Sequence, residues 1–348
     1  MSSTLQSTAP SLTADYPRAS LGHFPTPLEA LTRLSTEAGS QKPLWVKRDD
    51  CTGLAFGGNK VRQLEFYFGD ALAQGATLAL ITGAVQSNFV RTAAASAAKL
   101  GLKCLVQLEE RVAGKDETYR TSGNVLLNHL LGARVEYFPV GEDEHGADAA
   151  LEQHAAHARA AGEVPYVIHL SEQPRPLGTL GYVVAVEELV SQAASMGLEL
   201  SQVVVASGSA VTHAGVLVGL RALGRDDVRV VGACVRREAD AQRARVMRVA
   251  QRTEELIGHS GVVRECDVVV DDTFLDPGYG QMNAPTRATL LRAARTEALL
   301  VDPVYTAKSL ACALEWVKRD DVSGATVFMH TGGTPALFGY ATDLQEMM

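Results

Sequence analysis

Short apolar runs alternate with longer helix-patterned stretches along most of this chain, and that alternation limits the fold more than any other feature. The run "ATLALITG", ending at Gly83, precedes the alanine-rich pattern "NFVRTAAASAAKLGL". "KCLVQLEE" leads to "SGNVLLNHLLGA", and "RVEYFPV" leads to "ADAALEQHAAHARAAG". "PYVIHL", "SQVVVASG", "VRVVGACV" and "ATVFMHTGG" continue the series. Strands buried on both faces read as continuous apolar runs, and strand–helix alternation implies parallel sheets covered by helices. The pattern therefore predicts an α/β architecture. A length of 348 residues favours two domains over one. The proline-bearing stretch "SEQPRPLG", residues 171–178, is the expected crossing between them.

Composition narrows the function classes. The net charge of −8 argues against a general affinity for nucleic acid or an anionic membrane, either of which needs clustered excess base. No apolar run approaches the roughly 20 residues that span a bilayer. The first 20 residues, "MSSTLQSTAPSLTADYPRAS", lack the pattern of a secretory signal and read as a disordered tail. Five scattered cysteines, Cys51, Cys104, Cys234, Cys266 and Cys312, fit reduced thiols in the cytoplasm, with neither a disulfide framework nor a metal site.

Open parallel sheets bind ligands at the carboxyl ends of their strands. Three strand-to-loop transitions stand out on that ground: "GAVQSNFVR" from Gly83, "ASGSAVTHAG" from Ala206 and "HTGGTP" from His330. In the second, small side chains would let an anion reach the free N–H groups of a helix start, with hydroxyls added by Ser209 and Thr212. "GGNK" sets two glycines and Asn59 before Lys60, which can be a solvated charge, a phosphate ligand or a nucleophilic amine. A Walker-type loop is a poor reading, because Asn59 separates glycine from lysine and Val61 follows. His213 and His330 read as interior histidines. Tyr279 in "DPGYGQMN" and Tyr305 in "DPVYTAKS" lie beside proline and glycine, where aromatic packing is the default.

Taken in order, "FPTPLEAL", "LWVKRDDCTGLAFGGNK", "GAVQSNFVRTAAASAAKLGL", "ASGSAVTHAG", "DPGYG", "DPVYTAKS" and "HTGGTPALFGY" span nearly the whole chain. This series resembles the pyridoxal-phosphate enzymes of fold type II. Within them it resembles the group holding 1-aminocyclopropane-1-carboxylate deaminase, D-cysteine desulfhydrase and L-cysteate sulfo-lyase. The resemblance implies two three-layer α/β domains of the tryptophan-synthase-β type, with pyridoxal 5'-phosphate in the cleft between them. A small domain of residues 63–171 would be inserted into a large one made of 21–62 and 172–348. A homodimer acting on a small amino acid is implied as well. Lys60 would hold the cofactor covalently, Ser87 would assist proton transfer at the substrate Cα, and Asn88 would bond the cofactor's ring oxygen. Gly208, Ser209, Ala210, Val211 and Thr212 would hold the phosphate, and Thr331 would face the pyridine nitrogen. Tyr279 and Tyr305 would act catalytically and would line the substrate pocket with Ser87, Asn88 and Phe89.

A neutral hydroxyl such as that of Thr331 cannot stabilise a pyridinium as a carboxylate would, which favours prompt loss of a β-leaving group over racemisation. Thr306 and Thr331 follow the desulfhydrase pattern. The activity implied is α,β-elimination from a β-substituted amino acid, as in D-cysteine going to pyruvate, ammonia and sulfide. L-cysteate sulfo-lyase or deaminase activity, or a non-catalytic binding descendant, stand as alternatives. Several positions depart from the group: Val61, Gln63 where a phosphate-touching lysine is usual, Phe89 in place of histidine, and Val211 in place of glycine. "HLSEQPRPLG" replaces a glycine-rich turn, and its Arg175 could meet an anionic substrate group or lie solvated.

Overall fold

The computed structural model describes residues 11–346. Ten strands and thirteen α-helices follow one another in it. The first stretch runs β1 (Leu28–Ala30), α1 (Thr32–Glu37), β2 (Leu44–Lys47) and α2 (Asn59–Ala73). Next come β3 (Leu78–Ala84), α3 (Asn88–Leu100), β4 (Lys103–Glu109), α4 (Glu117–Thr121), α5 (Gly123–Leu130), β5 (Arg134–Phe138), α6 (Glu144–Ala160) and β6 (Pro165–Ile168). The remainder is α7 (Leu180–Ser195), β7 (Leu200–Ser207), α8 (Val211–Ala222), β8 (Arg229–Cys234), α9 (Ala239–Ile257), β9 (Val269–Asp271), α10 (Ala284–Glu297), α11 (Thr306–Trp316), β10 (Ala325–Met329), α12 (Ala336–Gly339) and α13 (Ala341–Gln345).

Two sheets result, as the alternation demanded. The larger has the order β1-β2-β10-β7-β8-β9, parallel except for the β1 edge; the smaller has the order β5-β4-β3-β6 and is parallel throughout. Central strands are apolar and buried on both faces, whereas the edge strand β5 has only half-buried and exposed residues. Strands β1 and β9, of three residues each, are too short to leave an apolar run in the sequence. Helix α3 shows how local chemistry sets a boundary. Ser87 caps its start by accepting from the Val90 N–H, and Gly101 ends it in the left-handed region at φ 73°.

The expected tail divides in two. Residues 1–10 lie outside the described residues. Residues 11–20 are packed, contrary to the expectation, because their polar groups find partners on three helices. The Leu12 N–H donates to Glu187 Oε1 at 2.9 Å, the Tyr16 hydroxyl to the Leu256 carbonyl at 2.6 Å, and the Ala19 N–H to the Glu65 carbonyl at 2.8 Å.

Helix α2, which begins at the lysine motif, is fixed by a buried ionic network. Arg62 donates from Nε and Nη2 to Asp49 at 2.9 Å each and from Nη2 to Glu188 at 3.0 Å. Tyr182 donates to Asp49 at 2.7 Å, and Lys47 pairs with Glu188. Removing one member of such a network leaves a buried charge unpaired, at about 3–5 kcal/mol. Against α2 the α7 backbone comes close enough that a Cβ on Gly181 would lie 2.2 Å from the Arg62 carbonyl oxygen. Among the described residues no helix is long and apolar enough to cross a membrane, and no group of three or more His, Cys, Asp or Glu is placed to hold a metal ion.

Candidate active site

The carboxyl ends of β3, β4, β7, β8 and β10 open toward one cleft of about 1220 Å³, counting its mouth. Every residue given a catalytic, cofactor or substrate role by the resemblance lines it. From α2 and α3 come Lys60, Ser87, Asn88 and Phe89; the loop into α8 supplies Gly208, Ser209, Ala210, Val211 and Thr212; Tyr279, Tyr305 and Thr331 close the ring.

The glycines before Lys60 have a geometric reason. Gly57 and Gly58 take φ of 63° and 108°, and a Cβ on Gly57 would sit 2.2 Å from the Asp50 carbonyl oxygen. This turn lets the Asn59 N–H donate to the Thr331 carbonyl at 3.0 Å, which joins the lysine's helix to the loop after β10. Lys60 keeps some surface open to the cleft, yet protein crowds its amine. That desolvation alone lowers its pKa to about 8. Among the described residues no carboxylate compensates it. Its contacts are Gln63 Oε1 at 3.2 Å and the Phe89 ring, 5.2 Å away at its centroid.

Gln63 therefore does more than lack a charge. Its Oε1 accepts from Lys60 while its Nε2 donates to Thr212 Oγ1 at 2.8 Å, and Asn59 donates to the same oxygen at 2.9 Å. A hydroxyl that accepts twice keeps its own proton for a third partner, so Thr212 can donate to an anion on the loop. The N-terminus of the twelve-residue helix α8 adds free N–H groups. The glycine-to-valine change at Val211 places no strain on this loop. Val211 is the first residue of the helix, and the left-handed residue is Ala210, at φ 74°. Positive charge arrives from elsewhere: Arg237 donates to the Gly208 carbonyl at 3.0 Å and Arg245 to the Ser209 carbonyl at 3.2 Å.

On the facing wall, Asn88 Oδ1 accepts from Asn124 at 3.0 Å and Arg91 at 3.3 Å, which leaves its amide N–H groups as donors to the cleft. The Tyr279 and Tyr305 hydroxyls share a hydrogen bond of 2.6 Å, with rings 5.9 Å apart and tilted 71°. Burial pushes both phenols above their ordinary pKa. Tyr305 precedes α11, and the N–H groups leading into that helix meet one buried carboxylate. Asp302 accepts from the N–H of Val304, Tyr305 and Thr306 and from the Thr306 hydroxyl. Thr306, used above as a pattern marker, thus serves the helix cap. Lys308, one turn on, donates to the Leu275 and Gly278 carbonyls at 2.7 and 3.0 Å and so anchors the loop that carries Tyr279.

Neither singled-out histidine lines the cleft. His330 Nδ1 accepts from the Gly332 N–H at 3.1 Å, so its proton sits on Nε2 and is donated to the Leu300 carbonyl at 3.0 Å. His213 is fully buried against Ser207, and burial lowers its pKa to about 4. Arg175 is exposed and does not line the cleft, although Gln173 and Pro176 on either side of it do, so the solvated reading fits it. The arginines that do line the cleft are Arg111, Arg236 and Arg245, none of them picked out from the sequence. A signal existed for two of them, since Arg111 and Arg236 stand two residues beyond apolar strand runs, where parallel sheets place ligand-facing groups.

These groups suit pyridoxal phosphate: the loop at 208–212 for its phosphate, Asn88 for its ring oxygen and Lys60 for its aldehyde. Comparison with known proteins agrees. Residues 19–332 match the family described as pyridoxal-phosphate dependent enzyme. A D-cysteine desulfhydrase of Salmonella choleraesuis (strain SC-B67) is 42% identical over 327 residues, which cover 93% of this chain and 96% of that protein. A 1-aminocyclopropane-1-carboxylate deaminase of Burkholderia vietnamiensis (strain G4 / LMG 22486) is 40% identical over 94% of this chain and 97% of its own length. Among solved structures, an ACC deaminase homologue superposes with a TM-score of 0.86 at 32% identity, over 97% of this chain and 98% of that one. O-ureido-L-serine synthase, at 19% identity and a TM-score of 0.64, shares the fold. Sequence, fold and cleft agree that the chain belongs to the pyridoxal-phosphate-dependent enzyme family, with the fold type II architecture.

Proposed function

We propose that this protein is a lyase that eliminates a β-substituent from a small amino acid, D-cysteine going to pyruvate, ammonia and sulfide. The observation that carries this reading is the Lys60 amine, desolvated, without a carboxylate partner, and in one cleft with Ser87 and the Tyr279–Tyr305 pair. When bound, pyridoxal phosphate supplies the electron sink that makes a Cα–H bond acidic. The chain's own groups do the rest. Lys60 would hold the cofactor, and its amine would serve as base for the Cα proton; its low pKa keeps a usable share unprotonated at neutral pH. Ser87, at the start of α3, and the free N–H groups beside it can fix the substrate carboxylate. The tyrosines stay protonated at neutral pH, so one can give a proton to the departing sulfur while the other holds it in line. Thr331 would offer the cofactor ring only a neutral hydroxyl, which suits rapid loss of the β-group.

The relatives named D-cysteine desulfhydrase and 1-aminocyclopropane-1-carboxylate deaminase support this class of chemistry. The division into residues 63–171 and the flanking 21–62 and 172–348 is part of the proposal, supported by the separate four-stranded sheet. Assembly as a homodimer is supported by apolar side chains left exposed on the packed helices α5 and α12, Leu130 at 73% and Phe338 at 58%. Five unpaired thiols support a cytoplasmic home. The test is keto-acid formation from D- and L-cysteine, 1-aminocyclopropane-1-carboxylate and 3-chloroalanine, beside the absorption spectrum of wild type and Lys60→Ala before and after borohydride. A yellow protein that borohydride bleaches, with pyruvate formed by wild type alone, is the expected result. A protein that stays colourless with added pyridoxal phosphate would refute it.

A further inference from the structure

Arginines taken out of water in this protein meet carboxylates. Arg62 pairs with Asp49 and Glu188, Arg221 with Asp267, and Arg245 with Glu144 and Glu172. Arg91, at the fourth position of α3, is 0% exposed and departs from that pattern. No carboxylate among the described residues meets it. The turn at 54–58, α2 and α5 pack against its helix, yet no side chain on them offsets its charge. Burial alone acts on its pKa and lowers it to about 10.

Its hydrogen bonds go to neutral oxygens instead. Nε donates to Asn124 Oδ1 at 3.1 Å, Nη1 to the Ala55 and Gly57 carbonyls at 2.5 and 3.0 Å, and Nη2 to Asn88 Oδ1 at 3.3 Å. The backbone strains to supply two of these oxygens. Ala55, Phe56, Gly57 and Gly58 all take positive φ, between 42° and 108°, although the first two carry side chains. Asn124 is fixed in turn, because its Nδ2 donates to the Gln86 carbonyl and to Asn88 Oδ1 at 3.0 Å each. The Asn88 oxygen thus points at a cation and its N–H groups at the cleft. An amide polarised in that way donates more strongly. Bracing the turn needs donors only, and a neutral amide would serve. A buried guanidinium without a counter-ion costs free energy, so its charge calls for an anion that the chain does not supply.

We infer that Arg91 is a positioning residue that acts through Asn88: it fixes the amide with its N–H groups toward the cofactor's ring oxygen and keeps that oxygen ionised. The inference rests on the placement of Asn88 at the ring oxygen and does not depend on the leaving group. With the oxygen ionised, the proton is left to the nitrogen that Lys60 contributes. Positive charge there strengthens the electron sink. It matters more in this cleft than in one with a carboxylate at the pyridine nitrogen, because Thr331 would offer that nitrogen only a hydroxyl.

The test is the absorption spectrum of the holoenzyme at neutral pH, without substrate. Protonation of the ring oxygen moves the absorption of bound pyridoxal phosphate from the visible to the near ultraviolet. Arg91→Met should raise the ratio of near-ultraviolet to visible absorbance about tenfold, a change of about 1.4 kcal/mol. Arg91→Lys, which keeps the charge and loses the fork, should recover most of the visible band. Asn88→Ala should shift the ratio as Arg91→Met does, and the double variant should shift it little further, as two residues acting in series require. If Arg91→Met fails to fold, Asn124→Asp decides: it sets a carboxylate against the guanidinium with little change of volume and should raise the ratio too. A ratio unmoved in the folded variants, or moved as far by Arg91→Lys as by Arg91→Met, would leave Arg91 a brace for the turn and overturn the inference. So would a full additional shift from Arg91→Met in the Asn88→Ala background. A wild-type spectrum in Asn88→Ala would overturn the placement of Asn88 and the inference with it. Because no substrate enters, these spectra decide the inference whether or not D-cysteine is turned over.

Discussion

Stripped of its cofactor, the protein should take up pyridoxal phosphate at a rate set by how much of Lys60 is unprotonated. With its pKa lowered to about 8, about 9% of the amine is free at pH 7 and about 91% at pH 9. Uptake should therefore rise about tenfold over those two units and then level off. A solvated lysine of pKa about 10.4 would rise about a hundredfold over the same interval and would still be climbing at pH 9. The cofactor phosphate, with its second pKa near 6, stays ionised throughout and does not confuse the comparison. The measurement is stopped-flow absorbance on apoprotein at constant ionic strength, with Lys60→Ala as the blank. The refuting result is a rate that climbs in proportion to hydroxide through pH 9.5. It would mean that water reaches the Lys60 amine freely, and that neither Phe89 nor the surrounding protein desolvates it.

Ala210→Gly relieves a left-handed backbone at φ 74° and should raise stability by about 0.5–1 kcal/mol in urea unfolding. Val211→Gly, which opens the first turn of α8, should lower it by about 1 kcal/mol; the reverse order would refute the assignment of strain. Lys308→Met removes the anchor of the Tyr279 loop. It should cut kcat by about ten- to a hundredfold through misplacement of the phenol, with far-ultraviolet circular dichroism unchanged; wild-type turnover would count against the anchor. His213 holds a folded pKa of about 4 against an unfolded value near 6.5. The unfolded chain therefore binds more protons over that window, and stability is lost as pH falls through it, by roughly 3 kcal/mol in all. His213→Gln should lose less stability than wild type between pH 7 and pH 5, and parallel losses would exclude His213 as the cause.

Much of the fold was legible because parallel strands buried on both faces must be continuous apolar runs. Every such run named from the sequence forms one of the ten strands. The three-residue strands β1 and β9 carried no such mark. The residues given roles by the resemblance reached the cleft because a position after a strand or before a helix fixes direction as firmly as identity does. What stayed hidden was relational. Gln63 looks like a lost charge in the sequence, and only contact with both Lys60 and Thr212 shows it as a link between them. That the loop's left-handed residue is Ala210 and not Val211 could not be seen without the backbone. Arg111 and Arg236 resemble ordinary solvated charges until two sheets bring them to one wall. Arg175, the arginine that drew attention, lies on the surface. The ordered stretch at 11–20 has tail-like composition, and its partners Glu65, Glu187 and Leu256 are too distant in sequence to be foreseen.

The strand order of the larger sheet also bears on how the protein is made. β10 is the last of the ten strands to be synthesised, yet it lies between β2 and β7, with the early strands on one side and the later ones on the other. The four-stranded sheet, complete by residue 168, has all its pairing partners well before that. Until residues 325–329 leave the ribosome, β2 and β7 each present an open, apolar edge, the kind of edge that invites pairing with another chain. The Asn59 N–H likewise has no carbonyl at Thr331 to bind. The cofactor pocket is therefore among the last features a nascent chain can assemble, and a ribosome that stalls in this late stretch leaves a chain exposed to aggregation.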